Sequence, residues 1–150
     1  MATILQNYIS NTAATITLVS LANSSGRAST AIDNTATKAI SADIRVKVTT
    51  SGTLASGFVS VYLIRSDDGT NYDDAFAGTD AAYTPINAIL LGILSTPATS
   101  TYVKVFDTAE LGLTLPQKYS IGIVNSSGNA LTATAGNHSV TIEAKSFTIV

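Results

Sequence analysis

The chain contains no cysteine and no tryptophan, and only 12% of its 150 residues are charged. Without cysteine there can be no disulfide framework, no thiol nucleophile and no thiolate metal site. The eight Lys and Arg residues are scattered singly through a chain of net charge −2. Phosphate binding requires clustered positive charge, so the composition argues against a nucleic-acid partner.

The N-terminal part of the chain lacks charge altogether, because no charged side chain precedes Arg27. A signal peptide would need a basic segment before its apolar core, and a membrane-spanning helix would need an uninterrupted apolar stretch. Gln6, Asn7 and Asn11 interrupt every apolar run in this part of the chain. The sequence therefore predicts neither element, and no membrane partner is expected.

What the chain does have is a high content of Thr, Ser and Ala beside a normal apolar fraction of 45%. Thr-rich, charge-poor compositions favour strands over helices. A chain of this length forms one domain of ordinary size and can remove about two-thirds of its unfolded surface from water. A single hydrophobic core is expected.

The clearest strands are two neighbours in the middle of the chain. Between Asp43 and Thr49, apolar and polar residues alternate, which predicts a strand with one solvent face. After a connection through Ser51 to Gly57, the run Phe58–Ile64 is apolar on both faces and indicates a central strand.

Further strands are predicted on either side of this pair, with turn formers between them. They are Ala14–Leu18, Ala88–Leu94, Thr101–Asp107, Tyr119–Val124 and Ser139–Val150, the last with a bulge near Lys145. Seven or eight short strands without a convincing helix predict an all-β fold, a single antiparallel β-sandwich with jelly-roll or Greek-key connections. One domain is expected, with an N-terminal strand and extended arm over residues 1–34 and a sandwich body over residues 35–150.

The stretch Leu21–Asn34 has neither helical nor clean strand periodicity and is predicted to be a long loop or extended arm. Arg27, Ile32 and Asp33 are its candidate interaction residues, since a lone guanidinium usually binds a carboxylate or carbonyl groups. Two interpretations stay open. The arm either packs on a neighbouring subunit, with Arg27 anchored there, or is a loop held on its own domain.

Under the first interpretation, deleting residues 1–22 should leave a folded sandwich that assembles poorly. Replacing Arg27 with Ala should weaken attachment without lowering the melting temperature.

The stretch from Ser66 to Asp74 gathers turn formers around Asp68-Gly69. Its four carboxylates, on Asp67, Asp68, Asp73 and Asp74, do not follow the order of an EF-hand, so they are expected to be solvated and free of metal. The irregular segment that follows carries Phe76 and Tyr83, which are candidate contacts with a neighbouring subunit.

The sequence shows no recognisable catalytic motif. The single histidine, His138, precedes Ser139 without an orienting acid or a nucleophile-elbow glycine pattern, so it is expected to bond to backbone at a strand edge. Glu110 and Glu143 have no sequence context that makes them a glycosidase pair. The sequence predicts no enzymatic activity and no cofactor.

Several loop patterns resemble those of small structural proteins of tailed-bacteriophage virions, in particular head decoration (cement) proteins. The patterns are Leu21–Asn34, Gly69–Tyr72, Gly78–Ala82, Leu91–Leu94, Leu115–Tyr119 and Asn125–Leu131. The resemblance implies a β-sandwich, a homotrimer, attachment to the major capsid protein, and a place on the capsid exterior after synthesis in the host cytoplasm.

The alternative is a carbohydrate- or host-surface-binding module of a phage fibre or tail. Such a module needs an exposed aromatic platform, and the six Tyr and four Phe are spread along the chain. A hydrolase is a more distant alternative, because the chain lacks a plausible catalytic base.

Overall fold

The described residues form two antiparallel β-sheets, each with an apolar inner face. The computed structural model describes residues 2–52 and 57–149. Its strands, numbered in chain order, are β1 (Ile4–Ala13), β2 (Ser25–Ala28), β3 (Ile32–Asp33), β4 (Ser41–Thr49), β5 (Phe58–Ser66), β6 (Ala81–Ala82), β7 (Ile89–Ser95), β8 (Thr101–Asp107), β9 (Lys118–Ser126) and β10 (Ser139–Ile149). Two single-turn 3-10 helices lie at Asp73–Ala75 and Ala135–Asn137.

The strand order is that of a jelly roll. Sheet A has the order β1-β10-β4-β8, and sheet B has the order β6-β2-β9-β5-β7, with β3 also paired to β9. If the two-residue strands are set aside, the chain pairs from its ends inward: β1 with β10, β2 with β9, β4 with β8, and β5 with β7. The expected all-β antiparallel sandwich is confirmed, and the order selects the first of the two expected topologies.

The core lies between the sheets. Ile44, Val46 and Val48 project from β4 and are fully buried, while the intervening Arg45 and Lys47 face outward, as their alternation predicts. Strand β5 lies between β9 and β7, with Val59, Val61 and Leu63 in the same core. The prediction of a central strand at Phe58–Ile64 is confirmed.

The first strand lies elsewhere than predicted. The strand is Ile4–Ala13, and the predicted segment Ala14–Leu18 leaves the sheet after one further hydrogen bond, from the Ala14 N–H to the Val140 carbonyl. The N–H of Thr17 then donates to the Asp80 carboxylate instead of to a strand. Leu18 is buried in the core, so this segment crosses from sheet A towards sheet B.

The last strand runs without the predicted bulge at Lys145, which stays in regular register with Tyr8 on one side and Ser41 on the other. The register shift lies instead in β1, between Ile9 and Thr12. The connection predicted between β4 and β5 runs partly through residues 53–56, which lie outside the described residues, as do Met1 and Val150.

The predicted loop over residues 21–34 contains two short strands. Ser25–Ala28 forms β2 and Ile32–Asp33 forms β3, and both pair with β9 of the same chain. The stretch between Leu21 and Asn34 is thereby tied into sheet B by main-chain hydrogen bonds.

Candidate interaction surfaces

Arg27 meets a carboxylate and a carbonyl, as expected, but both belong to its own chain. Its Nε lies 2.6 Å from Oδ1 of Asp80, and its Nη2 donates to the Asp80 main-chain oxygen at 3.0 Å. Of the two interpretations, this internal pair favours the second, a loop held on its own domain. The contact fastens β2 to the loop before β6.

The pair is completed by Thr17, whose hydroxyl donates to Oδ2 of Asp80 at 2.5 Å. Burial by itself raises the pKa of Asp80, but hydrogen bonds from Arg27 and Thr17 outweigh it, so the pKa lies below its ordinary value. The carboxylate therefore joins three separate segments of the chain as a charged group.

Phe76 and Tyr83, the other expected contacts with a neighbour, belong to an internal aromatic cluster. Tyr83 is 6% exposed, and its ring meets Phe76 edge-on with centroids 5.9 Å apart. A Cβ on Gly122 would lie 2.6 Å from the Tyr83 ring, so β9 needs glycine where the ring crosses it. Most of the Tyr83 side chain is therefore buried by residues of its own chain.

Asp74 organises the loop around this cluster. It adopts a left-handed conformation, with φ 61°, and accepts hydrogen bonds from the Tyr83 hydroxyl at 2.7 Å and from the N–H groups of Ile86, Asn87 and Ala88. Burial raises the pKa of Asp74, yet these donors bring it below the ordinary value. Burial and the hydrogen bond to Asp74 raise the pKa of Tyr83 far above its usual range.

In the acidic turn from Ser66 to Asp74, only the first two carboxylates are solvated. Asp67 and Asp68 are exposed, and Asp68 accepts the N–H groups of Thr70 and Asn71, which lowers its pKa. The expectation of solvation is wrong for the second half, because Asp73 contacts Arg65 and Asp74 is the loop organiser described above. Among residues 2–52 and 57–149, there is no group of three or more His, Cys, Asp or Glu placed to hold a metal ion.

Ile32 and Asp33 lie at one end of the sandwich, where β3 pairs with β9. Ile32 pairs with Tyr119 and packs against the core, whereas Asp33 is exposed and accepts hydrogen bonds from the N–H and hydroxyl of Thr35. These hydrogen bonds lower the pKa of Asp33. Both residues line a cavity of about 260 Å³ that also touches Ile9 and Ile142.

His138 bonds to backbone at the start of β10, as predicted. Its Nδ1 accepts from the N–H of Thr49 at 3.3 Å, and its Nε2 lies 2.9 Å from the Thr132 carbonyl oxygen. These two contacts join a loop to β4. The imidazole is thereby given a structural role.

Sequence reasoning missed an ion cluster on the outer face of sheet A. Lys145 Nζ lies 2.6 Å from Asp43 Oδ1 and 2.9 Å from Asp107 Oδ2, and its side chain is 11% exposed. Burial lowers the pKa of Lys145, but the two carboxylates outweigh this effect and raise it above its ordinary value. The cluster cross-links β10, β4 and β8, and strand pairing is the signal that could have revealed it.

Beyond Lys145 the sheet narrows to two strands. Strand β4 begins opposite Lys145, so the last part of β10 pairs with β1 alone among the described strands. This two-stranded ribbon consists of residues 4–7 and 146–149. The Asn7 side chain donates to the Thr148 hydroxyl across it.

Large exposed apolar side chains lie on one face of the ribbon and at Tyr8, the next residue of β1. Cross-strand register places Ile4, Tyr8, Phe147 and Ile149 on the outer face of sheet A, where they are 67%, 61%, 53% and 73% exposed. We call these four residues the apolar patch. Exposed apolar patches on otherwise polar surfaces mark interaction sites.

The described part of the chain contains no helix long and apolar enough to cross a membrane. Comparisons of the chain with protein-family models, with curated proteins and with solved structures found no match.

Proposed function

We propose that the protein is a structural protein of a bacteriophage virion, a homotrimeric head decoration (cement) protein that binds the major capsid protein on the capsid exterior and stabilises the head. The observation that carries the proposal is the apolar patch. Its four large apolar side chains lie on the ribbon and at the adjoining Tyr8, outside the core, and β1, which carries two of them, has no charged residue.

The fold is compatible with this role. Jelly rolls serve as viral capsid domains and as lectins, although a fold alone does not imply a function. Between a virion protein and a lectin, the loop patterns that resemble phage virion proteins favour the virion protein. Among the described residues, the carboxylates with lowered pKa values bond to Arg27, Lys145 or main-chain N–H groups, which gives them structural roles.

The energy of attachment is sufficient in principle. Burying a large apolar side chain contributes roughly 1.5 to 3 kcal/mol. Four such side chains per subunit must offset an association cost of about 4 to 15 kcal/mol. Three linked patches on one trimer would offset that cost together, because the second and third contacts form at high effective concentration.

The test is binding to phage heads that lack the protein. The double variant Phe147→Glu/Ile149→Glu should fold normally, since both side chains are exposed, but should fail to co-sediment with heads or to raise their resistance to heat. Ile86→Glu is the matched control, because Ile86 is at least as exposed as Phe147 and Ile149 but lies in a loop far along the chain from the patch. If the double variant decorates heads as tightly as the wild type, the patch does not carry the attachment.

A carbohydrate-binding role is the second candidate, and one observation favours it. Tyr8 and Phe147 are exposed aromatic residues on the same face of adjacent strands, in diagonal positions. Glycan-array binding that is lost in Tyr8→Ala, without any binding to heads, would favour this role over decoration.

A further inference from the structure

A cavity of about 260 Å³ lies between the two sheets. Its walls come from both of them: Ile9 of β1 and Ala144 of β10 belong to sheet A, while Ile32 of β3 and Tyr119 of β9 belong to sheet B. Ile9 pairs with Ala144 on the inner face of sheet A, yet both are only half buried, as is Ile32. We call this space the Tyr119 cavity.

The main chain bends where the cavity lies. The register shift of β1 falls between Ile9 and Thr12, and both residues line the cavity. β-Bulges bend a strand, redirect its side chains and are frequent beside functional sites. The bend therefore coincides with the place where the two sheets leave a space between them.

The hydroxyl of Tyr119 has no hydrogen-bond partner. The residue is 2% exposed and belongs to the core, as does Ile121, but its oxygen bonds to nothing in residues 2–52 and 57–149. The partnerless hydroxyls of Thr96 and Ser120 are sealed from solvent, whereas that of Tyr119 is not. The Tyr119 cavity is the space that this side chain lines, so the hydroxyl faces it.

Tyr119 offers the cavity a hydrogen-bond donor. Burial raises the pKa of Tyr119 to about 12, so the hydroxyl keeps its proton at neutral pH. A buried hydroxyl without a partner costs free energy. An oxygen that accepts a hydrogen bond from it would remove that cost.

The rest of the inner wall is apolar. Among the lining residues, Tyr119 and Ile142 are almost fully buried, whereas Thr12, Thr15 and Thr37 are exposed at the rim. A buried water typically makes about three hydrogen bonds. At the inner wall a water would find one side-chain partner, the Tyr119 hydroxyl, so water is a poor occupant.

Size and charge narrow the choice of ligand. A cavity of about 150 Å³ takes benzene, so this one has room for a ring with a substituent. Among the described residues that line it, none is a cation, so an anion would be buried without a counter-charge. Its one carboxylate, Asp33, is exposed and already accepts hydrogen bonds from Thr35. These walls suit a neutral ligand.

We infer that the Tyr119 cavity binds a small neutral molecule with an apolar body and one acceptor oxygen, such as a ketone or an ester, and that the Tyr119 hydroxyl donates to that oxygen. The apolar body packs on Ile9, Ile32 and Ile142. The site goes beyond the proposed function, because it lies between the sheets, whereas the apolar patch is on the outer face of sheet A. Ligand binding and head binding can therefore each fail without the other.

Acetophenone, a neutral aromatic ketone, is the probe, and toluene is the control probe without an acceptor. Isotope-labelled isoleucine methyl groups report where a probe binds. On titration with acetophenone, the methyl NMR signals of Ile9, Ile32 and Ile142 should shift and saturate at millimolar concentration. Those of Ile86 and Ile93, which are exposed outside the cavity, should stay in place. The absence of a saturable shift at the three cavity isoleucines would overturn the site.

Tyr119→Phe tests the hydrogen bond. The change keeps the ring and removes a hydroxyl without a partner, so the variant should fold. It should weaken acetophenone binding by roughly two- to tenfold, the ratio that one net hydrogen bond supplies, and should leave toluene binding unchanged. An unchanged affinity for acetophenone, or an equal weakening for toluene, would overturn the role of the hydroxyl.

Ala144→Leu fills the cavity from β10 and should abolish the binding of both probes. Ala14→Leu, in the segment after β1, replaces it if circular dichroism shows that it does not fold, since Ala14 also lines the cavity. Ala133→Leu is the matched control in an exposed loop outside the cavity and should bind as the wild type does. If a folded filling variant binds acetophenone with wild-type affinity, the ligand lies elsewhere and the inference is wrong.

Discussion

The sandwich body and the ribbon of residues 4–7 and 146–149 contain the same kinds of apolar side chain in opposite surroundings. Ile121 and Ile123 of β9 are fully buried, while Ile4 and Ile149 of the ribbon are more than two-thirds exposed. In the body, each apolar side chain stabilises the fold. The exposed isoleucines of the ribbon add little to the stability of the fold. Exposed apolar residues of this kind are typical of surfaces that contact another molecule.

A matched pair of substitutions tests this contrast most strongly. Ile123→Ala should lower the free energy of unfolding by about 2 to 5 kcal/mol, because it leaves a cavity in the core. Ile149→Ala should change it by less than about 0.5 kcal/mol, as exposed positions usually do. Urea unfolding of both variants measures the difference. Equal destabilisation would mean that the ribbon is part of the core.

The aromatic cluster around Tyr83 belongs to the body, although the sequence suggested a surface contact. Tyr83→Phe removes the hydroxyl that donates to Asp74 and should lower the free energy of unfolding by about 1 to 3 kcal/mol, because a buried acceptor loses a partner.

Tyr8→Phe provides the control for the loss of a hydroxyl, since Tyr8 is an exposed member of the apolar patch. Its melting temperature should match that of the wild type. The interior assignment of Tyr83 fails if both variants melt at the wild-type temperature.

Local alternation predicted most of the body. Strands β4, β8 and β9 were found within two residues of their ends, because their apolar residues recur at every second position. In β4 this period coincides with alternating burial, whereas β9 is buried on both faces from Tyr119 to Ile123. Strand β1 was missed since most of its side chains are exposed, so it shows no alternation of burial. Its β-branched and aromatic residues, with no Gly or Pro before Gly26, were the available signal.

The interaction residues were less predictable, because their partners are distant in the chain. Arg27 was expected to find a carboxylate, but nothing in its neighbourhood points to Asp80, 53 residues away. The apolar patch likewise depends on the pairing of the first strand with the last. Such long-range contacts follow from topology, which one sequence does not reveal.

The structure reverses the expectation for Arg27→Ala. The change leaves Asp80 partly buried with a weaker set of donors, so it should lower the free energy of unfolding by about 1 to 2 kcal/mol at pH 7. Because the folded-state pKa of Asp80 lies below its ordinary value of 3.8, its charged contacts contribute fully above that pH and are lost as the pH falls through the folded-state pKa.

The difference between wild type and Arg27→Ala should therefore narrow as the pH is lowered below about 4. Thermal melts at pH 7 and at pH 3 measure it, with Lys38→Ala, an exposed cation in a loop, as the control. If Arg27→Ala has the same melting temperature as the wild type at pH 7, the internal pair does not stabilise the fold, and an anchor on a neighbouring subunit becomes the better interpretation of Arg27.

The smallest effect is expected from deleting Ala2–Asn7, which removes one strand of the ribbon. The lost side chains are exposed, so the free energy of unfolding should fall by no more than about 1 kcal/mol. Deleting residues 2–22 should instead prevent stable folding, because it also removes Leu18 from the core and Thr17 from the Asp80 pair. Circular dichroism and thermal melts compare the two truncations. If the protein without Ala2–Asn7 melts far below the wild type, the boundary between body and ribbon lies nearer the N-terminus than Tyr8. If it melts at the wild-type temperature but no longer binds heads, the ribbon acts in attachment.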